Sequence, residues 1–207
     1  MKNNRIILLI AFLMCVSVQQ AKADSPLTST YFASYYYEYP IVGQAETSRG
    51  LNAAIMAYLA DDNNLLDVKA AVINASGWNY ESTSNASQFW DYLATKHGLT
   101  SQTLTMSSLN AHELFCYGYL LALDDYFNVD AAITALTLAA EKNTTSYTIA
   151  LVLAITEAQK AMDYDWCAVW KYTREVLNDT SLKRDIKTAA IQSVVDYMIL
   201  YKSSCPE

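Results

Sequence analysis

Residues 110–142 read NAHELFCYGYLLALDDYFNVDAAITALTLAAEK, and this stretch decides the fold. Asn110 followed three residues later by Glu113 is a helix-start signature. The amide oxygen can accept from an orphaned backbone N–H, and the acid can reach back to the cap. Leu114, Tyr117, Gly118 and Leu121 then keep helical spacing. Asp124-Asp125-Tyr126-Phe127-Asn128 interrupts the pattern in a tight turn. Val129 to Lys142 resumes it, with Ala132, Ile133, Leu136 and Ala139 on one face. Two helices joined by so short a turn must lie antiparallel.

The same plan runs outward in both directions. Val42 to Ala60 reads as a helix stopped by Asp61-Asp62-Asn63-Asn64. Asn64 with Asp67 caps the next, which runs to Gly77. Asn85 with Gln88 caps a helix carrying Phe89, Trp90, Tyr92 and Leu93, with His97 as its closing cation before Gly98. Tyr147 to Met162, Trp166 to Leu177 and Leu182 to Tyr201 complete an array of about eight helices. Composition agrees. There are only 5 Gly and 3 Pro in 207 residues, too few for the turns of a sandwich or barrel. Gly43, Gly50, Gly77, Gly98 and Gly118 are too scattered for a phosphate-binding loop. The expected class is all-α, built of antiparallel helical hairpins.

Two stretches resemble tetratricopeptide repeats. In the first, Leu114, Tyr117, Gly118 and Leu121 suit the family's first helix, Asp125-Tyr126 its turn, and Ala132, Leu136 and Ala139 the small–large–small positions of its second helix. In the second, Ala150, Leu153, Ala154 and Glu157 are followed by the turn Asp163-Tyr164-Asp165 and then by Cys167 or Ala168, Trp170 and Val176. Asp67 to His97 is a third, degenerate unit. The family's closing Pro is missing, and the spacing is longer than its period. The resemblance implies a short superhelix with a concave groove lined by the first helix of each hairpin. It implies no reaction and carries no catalytic residues. A closed helical bundle is the alternative arrangement.

Residues 1–23 have the form of an export signal. Lys2 and Arg5 precede a mostly apolar run from Ile6 to Val18, and Ala21-Lys22-Ala23 is a small-residue cleavage site. The run is too short to span a bilayer, which takes about 20 residues, and no second long apolar run follows. The expected organisation is a signal peptide at 1–23, an aromatic arm at 24–40 and one helical domain at 41–207. The arm carries Tyr31, Phe32, Tyr35, Tyr36, Tyr37 and Tyr39. It reads as packing onto the first hairpin, or as an exposed platform for a sugar or a partner.

Export would leave Cys116, Cys167 and Cys205, and an oxidising compartment permits one bridge among them. An antiparallel last helix returns Cys205 towards Cys167, with the tail turning back to reach it. Cys116 is then a buried free thiol. Cleavage removes three bases and no acid, leaving 11 bases against 21 acids, a net charge of −10. That charge argues against nucleic acid and anionic membrane surfaces as partners. It is uneven: Asp24 to Asp165 holds 16 acids and 5 bases, and the remainder 5 acids and 6 bases.

Catalytic motifs are missing. His97 and His112 are the only histidines, and His112 and Glu113 are adjacent on a helix, so they point apart and cannot share a metal. Asp61/Asp62, Asp124/Asp125 and Asp163/Asp165 sit at helix boundaries, where acids cap and form turns. The stretch 124–129 lacks the glycine and closing Glu of a calcium loop. No serine sits in a nucleophile elbow, and Cys167 falls on a buried helix face. No cofactor or metal is expected. Asn74, Asn85, Asn143 and Asn178 begin N-x-S/T triplets that read as chance.

The function expected is an exported, non-enzymatic helical-repeat protein that binds a protein or peptide partner, basic or docked through apolar contacts. Its binding residues are expected to be Glu113, Tyr117, Glu157, Trp166 and Trp170. The alternative is a small secreted hydrolase or a carbohydrate-binding module using the Tyr and Trp clusters. N-terminal sequencing of the exported product is expected to begin at Asp24. A product retaining Met1, or one lipidated at Cys15, would overturn the export reading.

Overall fold

Ala111–Asp124 forms a helix because both halves of its start signal are made. The Glu113 N–H donates to Asn110 Oδ1 at 3.0 Å, and the Asn110 N–H donates to Glu113 Oε2 at 3.1 Å. The architecture is that of a computed structural model describing residues 25–48, 50–77 and 84–206. The 1–23 leader and Trp78 lie outside the described residues. Within them are ten α-helices, three 3-10 turns and no strand, an all-α fold. The helices are α1 Pro26–Ser29, α2 Pro40–Ser48, α3 Ala53–Ala60, α4 Leu66–Ser76 and α5 Asn85–Lys96. They continue as α6 Ala111–Asp124, α7 Asp130–Lys142, α8 Tyr147–Ala161, α9 Trp166–Asn178 and α10 Thr188–Met198.

Several boundaries differ from those expected, each for a physical reason. Val42 to Ala60 is two helices, because Asn52 starts α3 by accepting from the Ile55 N–H at 3.0 Å. Asn64 does not cap α4. Its amide donates to the Tyr58 carbonyl, and Leu65 stands at the cap. The α5 cap is Ser84, whose hydroxyl accepts from the Ser87 N–H, while Asn85 accepts from the Leu51 N–H. The last helix begins only at Thr188. Ahead of it, Lys183 bridges to Ser146, and the Asp185 carboxylate accepts from the Thr148 N–H at 2.8 Å, capping α8 from outside that helix.

Helices α6 and α7 pack together, then α7 with α8 and α8 with α9. Close approach between α6 and α7 depends on Gly118. A Cβ there would lie 2.8 Å from Leu136 Cγ and 3.1 Å from both Ala135 Cβ and the Leu136 nitrogen. Helices α4, α6 and α8 contact one another as an inner layer. Every residue of α4 but the half-buried Asp67 is buried, and α8 is buried on more than one face. A helix apolar all round must be covered all round.

The cover is the chain's own N-terminal segment. Helix α1 packs on α6, α8 and α10, and the 3-10 turn Ala33–Tyr36 packs on α4 and α10. Leu27, Phe32, Ala33 and Tyr36 are core residues, so the aromatic arm is part of the domain rather than a platform beside it. Asn74 of α4 holds it in place. Its carboxamide oxygen accepts from the Phe32 and Ala33 N–H groups at 2.8 and 3.0 Å, and its nitrogen donates to the Tyr119 hydroxyl at 3.0 Å. Among the described residues, the N-terminal segment covers the face shared by α4, α6 and α8. At the other end Cys167 and Cys205 form a disulfide with their Cα atoms 4.6 Å apart. The 3-10 turn Ile199–Ser204 folds the tail back onto α9. Cys116 is free and buried.

Equilibrium denaturation separates the buried arm from its exposed residues. Phe32→Ala is expected to cost about 3–5 kcal/mol, and Tyr35→Ala, on the exposed side, within about 0.5 kcal/mol of nothing. Gly118→Ala is expected to cost about 1–3 kcal/mol by overpacking. Equal small effects at Phe32 and Tyr35 would show that the arm is not core.

Candidate functional site

The expected binding residues fall in three separate places. Glu113 is fully buried and faces no groove. It accepts from Lys96 Nζ at 2.7 Å and lies 3.0 Å from His97 Nε2. Lys96 also donates to the Ala60 carbonyl at 2.6 Å. Burial pushes the Glu113 carboxyl up, but the hydrogen bonds from Lys96, the Asn110 N–H and His97 outweigh it and hold the group below its ordinary range. Glu113 is thus a structural anchor joining the end of α5 to the start of α6. Tyr117 is half-buried, its ring 4.7 Å from that of Trp90. Trp90 in turn donates to the Ser101 carbonyl. Glu157 is half-buried, and burial together with the neighbouring Glu175 raises its carboxyl above the usual range. Of these three, Glu113 has its carboxylate engaged inside the protein.

Trp166 and Trp170 behave differently. They are one turn apart on α9, with Arg174 one turn further, so the three form a stripe. Trp166 is 56% exposed, and its ring lies 5.8 Å from that of Tyr201. Trp170 is buried and forms the floor of a hollow of about 830 Å³. The rest of the lining is Arg174 from α9 and Ile199, Lys202, Ser203, Cys205 and Pro206 from the tail. The disulfide closes this hollow by pinning the tail to α9. Ile199 is 44% and Leu200 66% exposed beside it. Among the described residues no carboxylate pairs with Arg174 or Lys202.

A second concavity, a cleft of about 520 Å³, is polar. Asp62 to Asp67, His112, Asn143 and Arg184 to Lys187 line it. Its carboxylates already have structural partners. Asp62 accepts from the Asn110 amide at 2.9 and 3.1 Å, and Asp185 accepts from Ser146 and Thr148. Asp67 accepts from the Val68 N–H, and burial raises its carboxyl. Lys187 donates to the Tyr35 carbonyl, pairs with Glu38 and lies over the Tyr36 ring. Arg184 lies over the Tyr147 ring. Beneath His112 is Lys69, 0% exposed, whose Nζ is 3.4 Å from His112 Nδ1. Burial pushes both bases down; the Lys69 charge further disfavours a proton on His112, and the Lys96 charge further disfavours one on Lys69. In the same interior, burial pushes the Cys116 thiol up to about 12, so it is no nucleophile at neutral pH.

Among the described residues no group of three or more His, Cys, Asp or Glu side chains could hold a metal ion. No helix there is long and apolar enough to cross a membrane. Of the triplet asparagines, Asn74 and Asn85 are buried and hydrogen-bonded, whereas Asn143 and Asn178 are not buried. Comparison with protein-family models, with curated proteins and with solved structures finds no match. Sequence reading found Trp166 and Trp170 but not Arg174 or Lys202, whose place in the hollow depends on where the tail lands.

The two buried ionisable sites both make stability rise with pH, in different pH ranges, because the folded state lowers the proton affinity of each. The folded state holds the Glu113 proton more weakly than the unfolded chain. Its stabilisation is therefore complete above the ordinary value of 4.5 and is lost as pH falls below it. The Lys69 amine is depressed, so it opposes folding at every pH below its ordinary value of 10.5 and stops doing so above it. At pH 7, Glu113→Gln is expected to cost about 1.5–3 kcal/mol, and Lys69→Met to gain about 1–4 kcal/mol. Denaturation midpoints across pH 3–7 check both. A loss on Lys69→Met would show that the amine stabilises the core.

Proposed function

We propose that this chain is an exported, non-enzymatic helical protein that binds a protein or peptide partner at its disulfide-bonded end. The observation that supports this is the stripe on α9. The inner layer is filled by the N-terminal arm, and the polar cleft is tied up in helix capping. Trp166, Ile199 and Leu200 nevertheless stay exposed around a hollow floored by Trp170. Exposed tryptophan beside a pocket is the composition of a binding hot spot. The apolar option for the partner suits this end. A leader at 1–23 and a disulfide between distant cysteines suit an oxidising compartment outside the cytoplasm.

One observation favours the alternative of carbohydrate binding. The Tyr31 and Tyr37 hydroxyls are 3.0 Å apart, both donate to Glu46 Oε1 at 2.9 Å, and both rings are exposed. Such a cluster offers aromatic faces with a polar centre.

Affinity capture from the envelope and secreted fractions tests the two against each other. Trp166→Ser and Leu200→Ser are each expected to weaken the captured partner at least tenfold, while Tyr31→Ala and Phe127→Ser leave it unchanged. Retained binding in both α9-end variants, or a glycan-array signal that Tyr31→Ala removes, would overturn the first reading.

A further inference from the structure

The hollow at the disulfide end pairs two chemistries. Its apolar lining is Trp170, Ile199 and Pro206, and its charged lining is Arg174 and Lys202. Among the described residues Lys171 and Lys183, like the two cations of the hollow, have no carboxylate within ion-pair distance, whereas four others are engaged. Lys96 is held by Glu113, Lys160 by Asp130, Lys187 by Glu38, and Arg184 by the Tyr147 ring. Arg174 and Lys202 are exposed and have no carboxylate within ion-pair distance among the described residues. Two unneutralised cations beside an indole floor favour an anion attached to an apolar group. Guanidinium in particular takes a carboxylate through two parallel hydrogen bonds.

Resting on the docking surface proposed above, we infer that the hollow receives the C-terminus of the partner polypeptide. The terminal carboxylate lies between Arg174 and Lys202, and the last side chain, an apolar one, rests on Trp170 and Ile199. Charge separates this occupant from an acidic segment. The body before Trp166 carries 16 acids against 5 bases, which repels a polyanion, whereas the remainder is near balance at 5 acids against 6 bases and opposes a single carboxylate far less. The polar walls separate it from a fatty acid. Ser203 and the two cations interrupt the apolar lining, which suits an amide-bearing chain end more than a continuous acyl tail.

The test uses random hexapeptides made once with free C-terminal carboxylates and once as C-terminal amides. Both libraries are panned over the disulfide-intact mature protein. The expected result is enrichment of Leu, Ile or Phe at the last position of the acid library only. The best acid peptide is expected to bind at least tenfold more tightly than its own amide. An Arg174→Gln/Lys202→Gln variant should erase that ratio without altering amide binding or the melting temperature, because both side chains are exposed. Equal affinity of acid and amide overturns the inference while leaving the docking surface standing. Decanoate that displaces the acid peptide at equal concentration overturns the polypeptide occupant in favour of an acyl one. Failure of both libraries to enrich also overturns the inference, and the Trp166→Ser and Leu200→Ser comparison then judges the docking surface separately.

Discussion

The Asn74 carboxamide joins three parts of the chain. It belongs to α4, accepts from the backbone of the N-terminal segment at Phe32 and Ala33, and donates to Tyr119 of α6. All of these groups are buried. A buried amide left unpaired would cost about 1–3 kcal/mol, so the arm and the inner layer hold one another in register. Much of the remaining arrangement follows from this contact. With the arm seated, the face shared by α4, α6 and α8 is closed, and Leu27, Phe32 and Tyr36 fill it. A partner of the kind proposed would then be met on the outside of the molecule.

The outside is largely committed to holding helix ends. Asp124, at the C-terminus of α6, accepts from the Asn85 and Ala86 N–H groups at the start of α5. A negative charge is unfavourable at a helix C-terminus and favourable at an N-terminus, so this residue acts for its neighbour rather than for its own helix. Asp185 does the same for α8. Asp124 and Asp185 thus work as caps across space. At the disulfide end, exposed apolar groups stand beside two cations that have no carboxylate within ion-pair distance among the described residues.

The all-α class was legible because it rests on local signals. The scarcity of Gly and Pro, helical spacing, and the Asn110–Glu113 box all act within a few residues. The start of α10 was not legible, because the caps that shape residues 183–187 are made to α8, far away in sequence. Glu113 read as a helix-capping acid and as a binding residue. Its burial comes from Lys96 and His97, which the end of α5 delivers from another part of the chain. Lys69 could not be read as buried, since a lysine in a helix normally snorkels to water. The Trp166–Trp170 stripe has the same spacing whether it faces core or solvent. Only the landing place of the tail decides that one ring is covered and the other exposed.

Native-state hydrogen exchange of the mature protein tests the central claim, that the inner face is filled by the arm as an integral part of the core. The account predicts that the Phe32 and Ala33 amides exchange only through global opening, with the same protection as the α4 and α8 amides around Val72 and Val152. Exchange at these two amides orders of magnitude faster than at Val72 and Val152 would contradict it. The arm would then open by itself, and the inner face would be free to take a partner.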